Sequence, residues 1–480
     1  MNIVIVGCGN VGFGAARRLA PLHNLLLADN RRHEYLGELL KAHASTCSFH
    51  QWDVMCPSAM ESALRSAFGP GMRVDGLLCT VGTLGTASPL EDFTRFRSEF
   101  ELNYLGPITC LKEFVPGMAA CGRGRVIVLS STSGHHAAGD LTAYASSKWA
   151  LEVFCGALRA EVSRHGVQLD VVSPRNIRNQ YSSVFRFDSG IPLEMVARRI
   201  EGILGAPSRP RHFVPRHAVA LHILERLLPG LLDRRAGLSC AVGRRDQYRR
   251  YAIGRVVVTG VESALGEAVA FAYAPRCREM CLLGSDGSVL DRLRFAINAA
   301  SGCSVRTAMS VSGDQQGMSR LAASLGPVDL IINVAISGTE GDVLNTPLES
   351  YHRSLAVRFY QPILVTSSFL EVRHAPRKIV NILSPAPISG GSGSSAQLAP
   401  LAALWAWTRA LRRKRGNALQ VLEVLVGSQG VGTATGKGEV AEAVLAAERE
   451  GREILLHPST LCLELALEAL APRVHQCLYG

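Results

Sequence analysis

The chain has 480 residues, of which 47% are apolar and 19% charged, and this composition excludes a disordered or low-complexity protein. The length predicts two or three domains with their own cores, and no apolar run reaches the roughly 18 residues of a membrane-spanning helix. The formal net charge is +11, and residues 196–255 hold 13 arginines against four acidic residues. Because that segment lacks interleaved aromatic residues and a recognition-helix motif, we expect neither a nucleic-acid nor a membrane partner.

The cysteines and the first residues indicate a reducing compartment. The 13 cysteines are scattered and form no Cys-x-x-Cys pair, so we expect buried thiols and neither disulfides nor a metal site. The sequence from Met1 to Gly7 lacks the basic start and cleavage site of a signal peptide and predicts a strand that begins at once. We therefore expect a cytoplasmic protein.

Predicted strands and helices alternate along the chain, which favours parallel α/β sheets, and the pattern occurs twice. Residues 2–14 are similar to residues 254–266, and residues 125–131 to residues 378–384, at an offset of about 253 residues. We expect a first domain over residues 1–236, a linker over 237–252 and a second domain over 253–480.

A glycine-rich loop follows the first predicted strand. Gly7, Gly9 and Gly12 have the Gly-x-Gly-x-x-Gly spacing that lets the backbone turn tightly beside a pyrophosphate at a helix N-terminus. The loop stands between a strand and a helix, which is the context that this motif needs. We expect it to bind a dinucleotide.

The second predicted strand ends at Asp29. A carboxylate there can bind an adenosine ribose and repel a 2′-phosphate, which favours NAD(H) over NADP(H). Arg31 and Arg32 follow at once and could instead bind a phosphate. As a further alternative, Asp29 could be a helix N-cap.

Tyr144 and Lys148 lie four residues apart, so on a helix they share one face. An ammonium beside a phenol favours the phenolate and lowers its pKa from about 10, which would suit a general acid or base. Alone, the two residues could be an ordinary surface pair. Ser131 lies 13 residues before Tyr144, after the fifth predicted strand, and its hydroxyl could hold a substrate oxygen. Asn103 lies upstream in a predicted helix.

The first half, over roughly residues 1–235, resembles a short-chain dehydrogenase/reductase in the order and spacing of these motifs. The resemblance implies a Rossmann-type doubly wound parallel sheet. It also implies that Tyr144 is the acid/base, that Lys148 holds the nicotinamide ribose and tunes Tyr144, that Ser131 orients the substrate carbonyl, and that Asn103 supports a proton relay. The implied cofactor contacts are Gly7, Gly9, Asn10, Gly12, Phe13, Asp29, Asn30, Asp53, Val54, Thr80, Val81, Gly82, Tyr144, Lys148, Pro174 and Ile177.

The first half departs from the family pattern at three places. Gly7-Cys8 stand where Thr-Gly is usual, Cys79 to Gly82 replace Asn-Asn-Ala-Gly, and Pro174-Arg175 replace Pro-Gly. The last of these regions meets the nicotinamide carboxamide in the family, so the departures bear on how the cofactor is oriented.

Residues 176–215 are expected to form a substrate lid. Apolar residues such as Phe185 and Phe187, together with the basic Arg178, suit a partly hydrophobic substrate with a polar or acidic end. The same residues could simply pack the lid helices. His135 and His136 could border the mouth of the pocket.

The second half resembles the same family without its chemistry. Ala264 replaces a loop glycine, Arg358 stands at the position of the catalytic asparagine, and Gln397 and Leu401 stand at those of the tyrosine and the lysine. Glutamine cannot exchange a proton near neutral pH. We therefore expect a degenerate domain that transfers no hydride.

Members of this family usually dimerise through the helices that follow the fourth and fifth strands. The resemblance therefore implies that the two halves, as tandem Rossmann-type domains, pack as an intrachain pseudo-dimer, and that two chains could form a homodimer of pseudo-dimers. We expect the first-half residues Trp149, Leu151 and Phe154 to face Leu404, Trp405 and Trp407.

The expected function is that of an NAD(P)(H)-dependent oxidoreductase that interconverts a ketone and a secondary alcohol. Its substrate would be a partly hydrophobic biosynthetic small molecule, either free or as an acyl group on a carrier protein. The basic segment 196–255 would suit an acidic acyl carrier protein. A different class stays open: a catalytically silent NAD(P)-binding scaffold or regulatory protein.

Overall fold

The computed structural model describes residues 1–56, 60–69, 73–136, 141–178, 190–215, 253–310, 313–336, 342–372, 375–384, 395–415, 418–426, 434–452 and 454–457. The expected linker at 237–252 and the lid residues 179–189 lie outside these ranges. Within them, no helix combines the length and the apolar character needed to cross a membrane.

The first half forms a seven-stranded parallel sheet in the order β3-β2-β1-β4-β5-β6-β7. Its strands are β1 (Asn2–Val6), β2 (Asn24–Asp29), β3 (Cys47–Gln51), β4 (Gly76–Cys79), β5 (Gly124–Leu129), β6 (Val167–Pro174) and β7 (Arg211–Val214). Its helices are α1 (Asn10–Leu19), α2 (Leu36–Ala42), α3 (Glu61–Phe68), α4 (Phe93–Ala120), α5 (Ser133–His136), α6 (Thr142–Val162) and α7 (Leu193–Leu204). The central strands are short apolar runs because helices cover both faces of the sheet.

The second half repeats this topology in the order β10-β9-β8-β11-β12-β13-β14. Its strands are β8 (Ile253–Thr259), β9 (Cys277–Gly284), β10 (Ser304–Met309), β11 (Leu330–Ala335), β12 (Lys378–Leu383), β13 (Gln420–Val426) and β14 (Ile454–His457). Its helices are α8 (Ala264–Tyr273), α9 (Gly287–Ala300), α10 (Gln315–Leu325), α11 (Leu348–Leu355), α12 (Gln361–Leu370), α13 (Ser395–Arg415) and α14 (Ala434–Arg449), with a π-helical turn at Ala356–Tyr360. The predicted fold class is confirmed: two Rossmann-type doubly wound sheets stand in tandem.

The equivalence of the two halves holds in detail. Helices α6 and α13 begin at Thr142 and Ser395, which is the offset that the sequence predicted between Tyr144 and Gln397. The glycine loops need one adjustment. The match of residues 2–14 with residues 254–266 would pair Gly14 with Gly266, whereas the structure pairs Gly12 with Gly266, because the second loop is one residue longer.

The two halves pack as the predicted intrachain pseudo-dimer: α6 lies against α13, and aromatic rings of α4 contact those of the π-helical turn. One apolar core runs through both halves. Phe100 on α4 packs against Phe359 with ring centroids 4.5 Å apart and the rings tilted, and Trp149 lies 5.9 Å from Trp405 as expected. Phe154 packs against Tyr351. Burial of these aromatic rings makes the second half part of the first half's core.

Two polar contacts hold the second half's segment 342–346 against α4 and α6. Lys112 Nζ donates to the carbonyl oxygens of Leu344 at 2.7 Å and Thr346 at 2.9 Å. Glu161 accepts hydrogen bonds from the backbone N–H groups of Val343 at 2.7 Å and Leu344 at 3.2 Å. These charge-assisted bonds fix the register of the two halves.

Candidate active site

The glycine loop between β1 and α1 is locked against β4. Gly7 has φ +89°, and a Cβ there would lie 2.9 Å from Val81 N. A Cβ at Gly12 would lie 2.0 Å from the Gly7 carbonyl oxygen, so α1 can begin this close to β1 only with glycine at both positions. Thr80 Oγ1 donates to that same carbonyl and ties the loop to the end of β4.

Gly9 differs from the other two loop glycines. It precedes α1, which begins at the exposed Asn10, and a Cβ built on Gly9 would meet no described atom within 4 Å. Its surroundings therefore leave room for a pyrophosphate beside the first N–H groups of α1, where a helix favours an anion.

Asp29, at the end of β2, lies directly beside the glycine loop. Its Oδ2 accepts a hydrogen bond from Cys8 N at 2.5 Å and lies 3.6 Å from His33 Nε2. Tyr35 donates from its hydroxyl to the Cys8 carbonyl at 2.8 Å, and its ring centroid lies 4.5 Å from that of Phe13, with the two rings tilted. The alternative that Asp29 caps a helix is wrong, because α2 begins only at Leu36 with Tyr35 at its N-cap.

The neighbouring expected cofactor contacts line the same carboxyl edge of the sheet. Asn30 and Asp53 are exposed, and Asp53 Oδ1 accepts from Met55 N at 2.9 Å in the turn after β3. Val54 and Val81 are buried on either side of Gly106, whose absent side chain lets α4 approach them closely. The Asp53 side chain therefore faces solvent at this edge of the sheet.

Gly82 lies where two of the candidate catalytic side chains meet. It has φ +147°, and a Cβ there would lie 2.6 Å from Asn103 Oδ1 and 3.0 Å from Lys148 Nζ. Asn103, fully buried on α4, accepts from Thr83 N at 2.7 Å and donates to Thr83 O at 2.9 Å. Asn103 therefore holds the strand end that carries Gly82 next to Lys148.

Ser131, Tyr144 and Lys148 come together as the spacing predicted. The Tyr144 phenol forms a hydrogen bond with the Ser131 hydroxyl, and Lys148 Nζ lies 5.8 Å from the centre of the Tyr144 ring. Lys148 Nζ also donates to the Leu129 carbonyl at 3.2 Å. Helix α6 thus presents the tyrosine and the lysine on one face towards the end of β5.

The acid–base properties of this pair differ from the sequence expectation. Burial raises the pKa of Tyr144, and the hydrogen bond with Ser131 only partly opposes that rise. The expectation that the phenol pKa falls below its usual value is therefore wrong for this structure, because desolvation of the phenolate raises it. Burial also lowers the pKa of Lys148, to about 8.

Pro174 and Ile177 complete the edge of the site after β6. The Pro174 carbonyl accepts from Thr132 N at 3.0 Å, which places the residues after Ser131 against the end of β6. Ile177 pairs with Ile191, and of the expected lid only residues 176–178 and 190–215 are described.

Sequence reasoning missed a buried ionic cluster behind the site, which we call the Glu152 cluster: Glu152, His135, Ser173 and Arg211. Glu152 accepts from Ser173 Oγ at 2.7 Å and lies 3.2 Å from His135 Nε2 and 3.1 Å from Arg211 Nε. His135 is buried, with its ring 4.8 Å from Trp149, and is not at the pocket mouth as proposed. The side chain of His136 lies outside the described residues.

The second half keeps the loop backbone and changes the side chains. A Cβ at Gly266 would lie 2.1 Å from the Gly260 carbonyl, as at Gly12, but Ser263 caps α8 through Gly266 N at 3.0 Å. Glu262 Oε1 accepts from Ser285 Oγ at 3.1 Å and so lies at the end of β9. A serine hydroxyl of the second loop therefore takes up one N–H group in the first turn of α8, and a glutamate carboxylate lies at the end of β9.

The positions that correspond to the catalytic residues carry other groups. Leu401 is fully buried on α13, and Gln397 lies one turn before it. Arg358 donates to the Ile336 carbonyl at 3.2 Å, at the position that corresponds to Gly82, one residue before the position of Thr83. From the π-helical turn, Arg358 anchors the segment after β11, as Asn103 anchors the segment after β4 in the first half. Burial lowers the pKa of the Arg358 guanidinium.

Comparison with known proteins agrees with this geometry. Residues 1–186 match the family model of short chain dehydrogenases. The chain is 31% identical over 163 residues to the uncharacterized oxidoreductase YbbO of Escherichia coli K12, and 32% identical over 130 residues to dehydrogenase/reductase SDR family member 7B of Danio rerio. These matches cover 30% and 27% of this chain and 61% and 40% of the relatives.

Residues 1–186 are thus similar to short-chain dehydrogenases. The family match lies in the first half, and the chain spans less than two thirds of the length of either relative. The solved N-domain and C-domain of a bacterial malonyl-CoA reductase, each described with NADP, resemble the fold of both halves together. Their TM-scores are 0.68 and 0.67, at 14% and 13% identity, with 95% of this chain and 97% and 98% of those chains covered. Two short-chain dehydrogenase folds in tandem are thus an architecture that other reductases share.

Proposed function

We propose that the protein is an NAD(P)(H)-dependent oxidoreductase that interconverts a ketone and a secondary alcohol in its first half. The observation that carries the proposal is a connected group at the carboxyl edge of the sheet: Asn103 and Lys148 meet at Gly82, Lys148 lies beside Tyr144, and Tyr144 contacts Ser131. Ligands of open α/β sheets bind at this edge. The substrate is a small molecule with a partly hydrophobic body.

The residues around the glycine loop fit a dinucleotide. Gly7 and Gly12 bring α1 close to β1, and the space beside Gly9 leaves the start of α1 accessible to a pyrophosphate. When bound, the nicotinamide supplies or accepts the hydride. The remaining parts of the dinucleotide would be held by the other expected cofactor contacts: Asn10, Phe13, Asp29, Asn30, Asp53, Val54, Thr80, Val81, Gly82, Lys148, Pro174 and Ile177.

The protein's own residues handle the substrate oxygen. Ser131 and Tyr144 share a hydrogen bond, so a carbonyl oxygen placed between their hydroxyls would accept from both. In ketone reduction, Tyr144 gives its proton to that oxygen, and in alcohol oxidation it takes the proton back. The raised pKa of Tyr144 keeps the phenol protonated and ready to donate. The Lys148 ammonium stabilises the phenolate that forms.

We further propose that NAD(H) is preferred over NADP(H). The Asp29 carboxylate lies at the end of β2, next to the loop, where it would accept from ribose hydroxyls and repel a 2′-phosphate. The exposed Arg31 and Arg32 are the competing feature, because either could pair with such a phosphate. Relative affinity for NADH and NADPH, with Asp29→Ala and Arg31→Ala variants, tests this preference.

The second half, in this proposal, supports the first and transfers no hydride. Gln397 and Leu401 offer neither an acid/base nor an ammonium, and Glu262 and Ser263 occupy its loop. The basic segment 196–255 would dock an acidic acyl carrier protein, and much of that segment lies outside the described residues. Activity on a carrier-bound ketone that falls with salt would support this partner.

The substitution Tyr144→Phe tests the function. It should abolish turnover of ketones with reduced cofactor while the affinity for the cofactor stays close to that of the parent, because the ring remains and only the proton donor is lost. Tyr104→Phe is the matched control, since this buried tyrosine has no hydrogen-bond partner for its hydroxyl among the described residues. Turnover that survives Tyr144→Phe would contradict the proposal and favour a catalytically silent scaffold.

A further inference from the structure

The Glu152 cluster lies directly behind the candidate catalytic pair. Glu152 follows Lys148 by one helical turn on α6 and is 2% exposed. Its partners come from three other segments: His135 from α5 after β5, Ser173 from the end of β6, and Arg211 from β7. One carboxylate therefore joins four elements of the sheet and its helices.

Three of these four elements carry or adjoin residues of the proposed site, and β7 does not. Helix α5 begins two residues after Ser131, Ser173 immediately precedes Pro174, and α6 carries Tyr144 and Lys148. A buried ion pair adds little net stability compared with apolar residues of the same shape, because desolvation offsets the attraction. The cluster is therefore better explained by the geometry that it fixes than by the stability that it adds.

We propose that Glu152 is a positioning residue for hydride transfer, which holds the Ser131 segment and the end of β6 in register with α6. This inference rests on the function proposed above. A displacement of about 1 Å between reacting groups costs up to roughly 100-fold in rate. The contacts by which Glu152 joins these three segments should therefore affect the rate of hydride transfer directly.

The charge of Glu152 also acts on Lys148. The titratable groups that face Lys148 among the described residues are Cys79 from β4 and Cys155, Glu152 and Tyr144 from α6. Burial lowers the pKa of Lys148 to about 8, and the Glu152 carboxylate opposes that fall. Loss of the carboxylate would remove that opposition and lower the pKa of Lys148 further.

The same domain contains a matched cluster away from the site. Asp170, four residues before the end of β6 and fully buried, is paired with Arg125 Nε at 2.8 Å and His212 Nε2 at 2.8 Å, and it accepts from Ser208 Oγ at 3.2 Å. It thus has an arginine, a histidine and a serine as partners, as Glu152 does. Because it lies towards the amino end of β6, it touches none of the proposed site residues.

The experiment compares Glu152→Gln with Asp170→Asn in the full chain. Glu152→Gln should lower kcat by about 10- to 100-fold, leave the Kd for NADH within about twofold, and move the alkaline decline of kcat to lower pH. Asp170→Asn should lower the thermal midpoint similarly but leave kcat and its pH profile unchanged. Equal kinetic effects in the two variants, or an unchanged kcat in Glu152→Gln, would overturn the proposal.

A milder pair covers the case in which Glu152→Gln does not fold. Ser173→Ala removes one hydrogen bond to Glu152, and Ser208→Ala removes one to Asp170. Only Ser173→Ala should lower kcat, by about threefold to tenfold. The same small loss of stability without any loss of kcat in Ser173→Ala would contradict a positioning role.

Hydrogen–deuterium exchange separates this inference from the proposed function. Peptides that cover residues 130–136 should exchange faster in Glu152→Gln than in the parent, and should not change in Asp170→Asn. If the parent itself turns over no ketone, the proposed function fails while this exchange still decides whether Glu152 holds the Ser131 segment. Unchanged exchange at 130–136 would overturn the inference even in an active enzyme.

Discussion

At the scale of single residues, the site is made of groups that burial pushes towards their neutral forms. Burial raises the pKa of Tyr144 and lowers that of Lys148 to about 8, so desolvation dominates both partners. Glu152 is the exception: burial raises its pKa, but His135, Arg211 and Ser173 together outweigh burial and lower it to about 2. The site therefore places a carboxylate that stays charged behind an ammonium that titrates near neutral pH.

This difference predicts the alkaline limb of the pH profile. Lys148 is charged below its folded-state pKa and neutral above it, so kcat/KM for ketone reduction should decline as pH rises through about 8. Initial rates between pH 6 and pH 10, at saturating cofactor, measure this limb. In Lys148→Arg, whose guanidinium stays charged, any residual activity should lack the decline. A parent profile that stays flat to pH 10 would contradict the assignment.

The residues that carry the chemistry were predictable, and the residues that support them were not. Ser131, Tyr144 and Lys148 lie at short, fixed spacings along the chain, so the sequence alone brings them together. His135, Ser173 and Arg211 reach Glu152 from separate elements, and no spacing in the sequence marks such contacts. The pKa of Tyr144 was wrongly expected to fall, because burial cannot be judged from a four-residue spacing.

At the scale of elements, the two glycine loops share a backbone and differ in what their side chains leave open. A Cβ added at Gly12 would lie 2.0 Å from the Gly7 carbonyl oxygen, and one added at Gly266 would lie 2.1 Å from the Gly260 carbonyl oxygen. Around Gly9 the first loop is open, whereas Ser263 and Glu262 fill the second. The same strand–turn–helix element thus serves two purposes.

Alanine substitutions in these loops should separate folding from cofactor binding. Gly9→Ala should leave the thermal midpoint nearly unchanged, because its Cβ meets no described atom, yet weaken NADH binding by about tenfold or more by crowding the pyrophosphate. Gly266→Ala should lower the thermal midpoint and leave NADH affinity unchanged. Thermal unfolding and cofactor titration on both variants measure the two effects. Normal NADH affinity in Gly9→Ala would sink the assignment of this loop.

The helices show how far a constant offset of about 253 residues describes the two halves. The offset of about 253 residues places α6 and α13 correctly. The region after β11 departs from it, because a π-helical turn at Ala356–Tyr360 inserts residues between α11 and α12. Arg358 was nevertheless matched to Asn103 on sequence, and its bond to the Ile336 carbonyl agrees with that match.

At the scale of the whole molecule, the second half is a permanent partner of the first. The tandem Rossmann-type fold and the pseudo-dimer were predictable because the repeat is visible in the sequence and the family resemblance supplied the contact surface. The details of the interface were not predictable. Lys112 and Glu161 bind backbone groups of residues 343–346, and every residue type offers such groups, so the sequence of this segment does not mark the contact.

A shared core predicts that the halves unfold together. Phe359 is fully buried against Phe96 and Phe100 of the first half, so Phe359→Ala should cost about 3–5 kcal/mol of unfolding free energy. Phe295→Ala, at a side chain that is 79% exposed, should change it by less than about 0.5 kcal/mol. In Phe359→Ala, NADH binding and circular dichroism should be lost at the same denaturant concentration. Retention of NADH binding after the second half unfolds would show that the halves are independent.

The number of nicotinamide cofactor sites per chain tests the central claim, that one half carries the chemistry and the other completes its core. Titration of the full chain with NADH and NADPH, followed by nicotinamide fluorescence, counts these sites. The account predicts one site per chain, lost in Asp53→Ala and unaffected by Asp286→Ala, a residue that caps α9 in the second half. Two sites per chain would contradict the role given to the second half, and no site would contradict the dehydrogenase function itself.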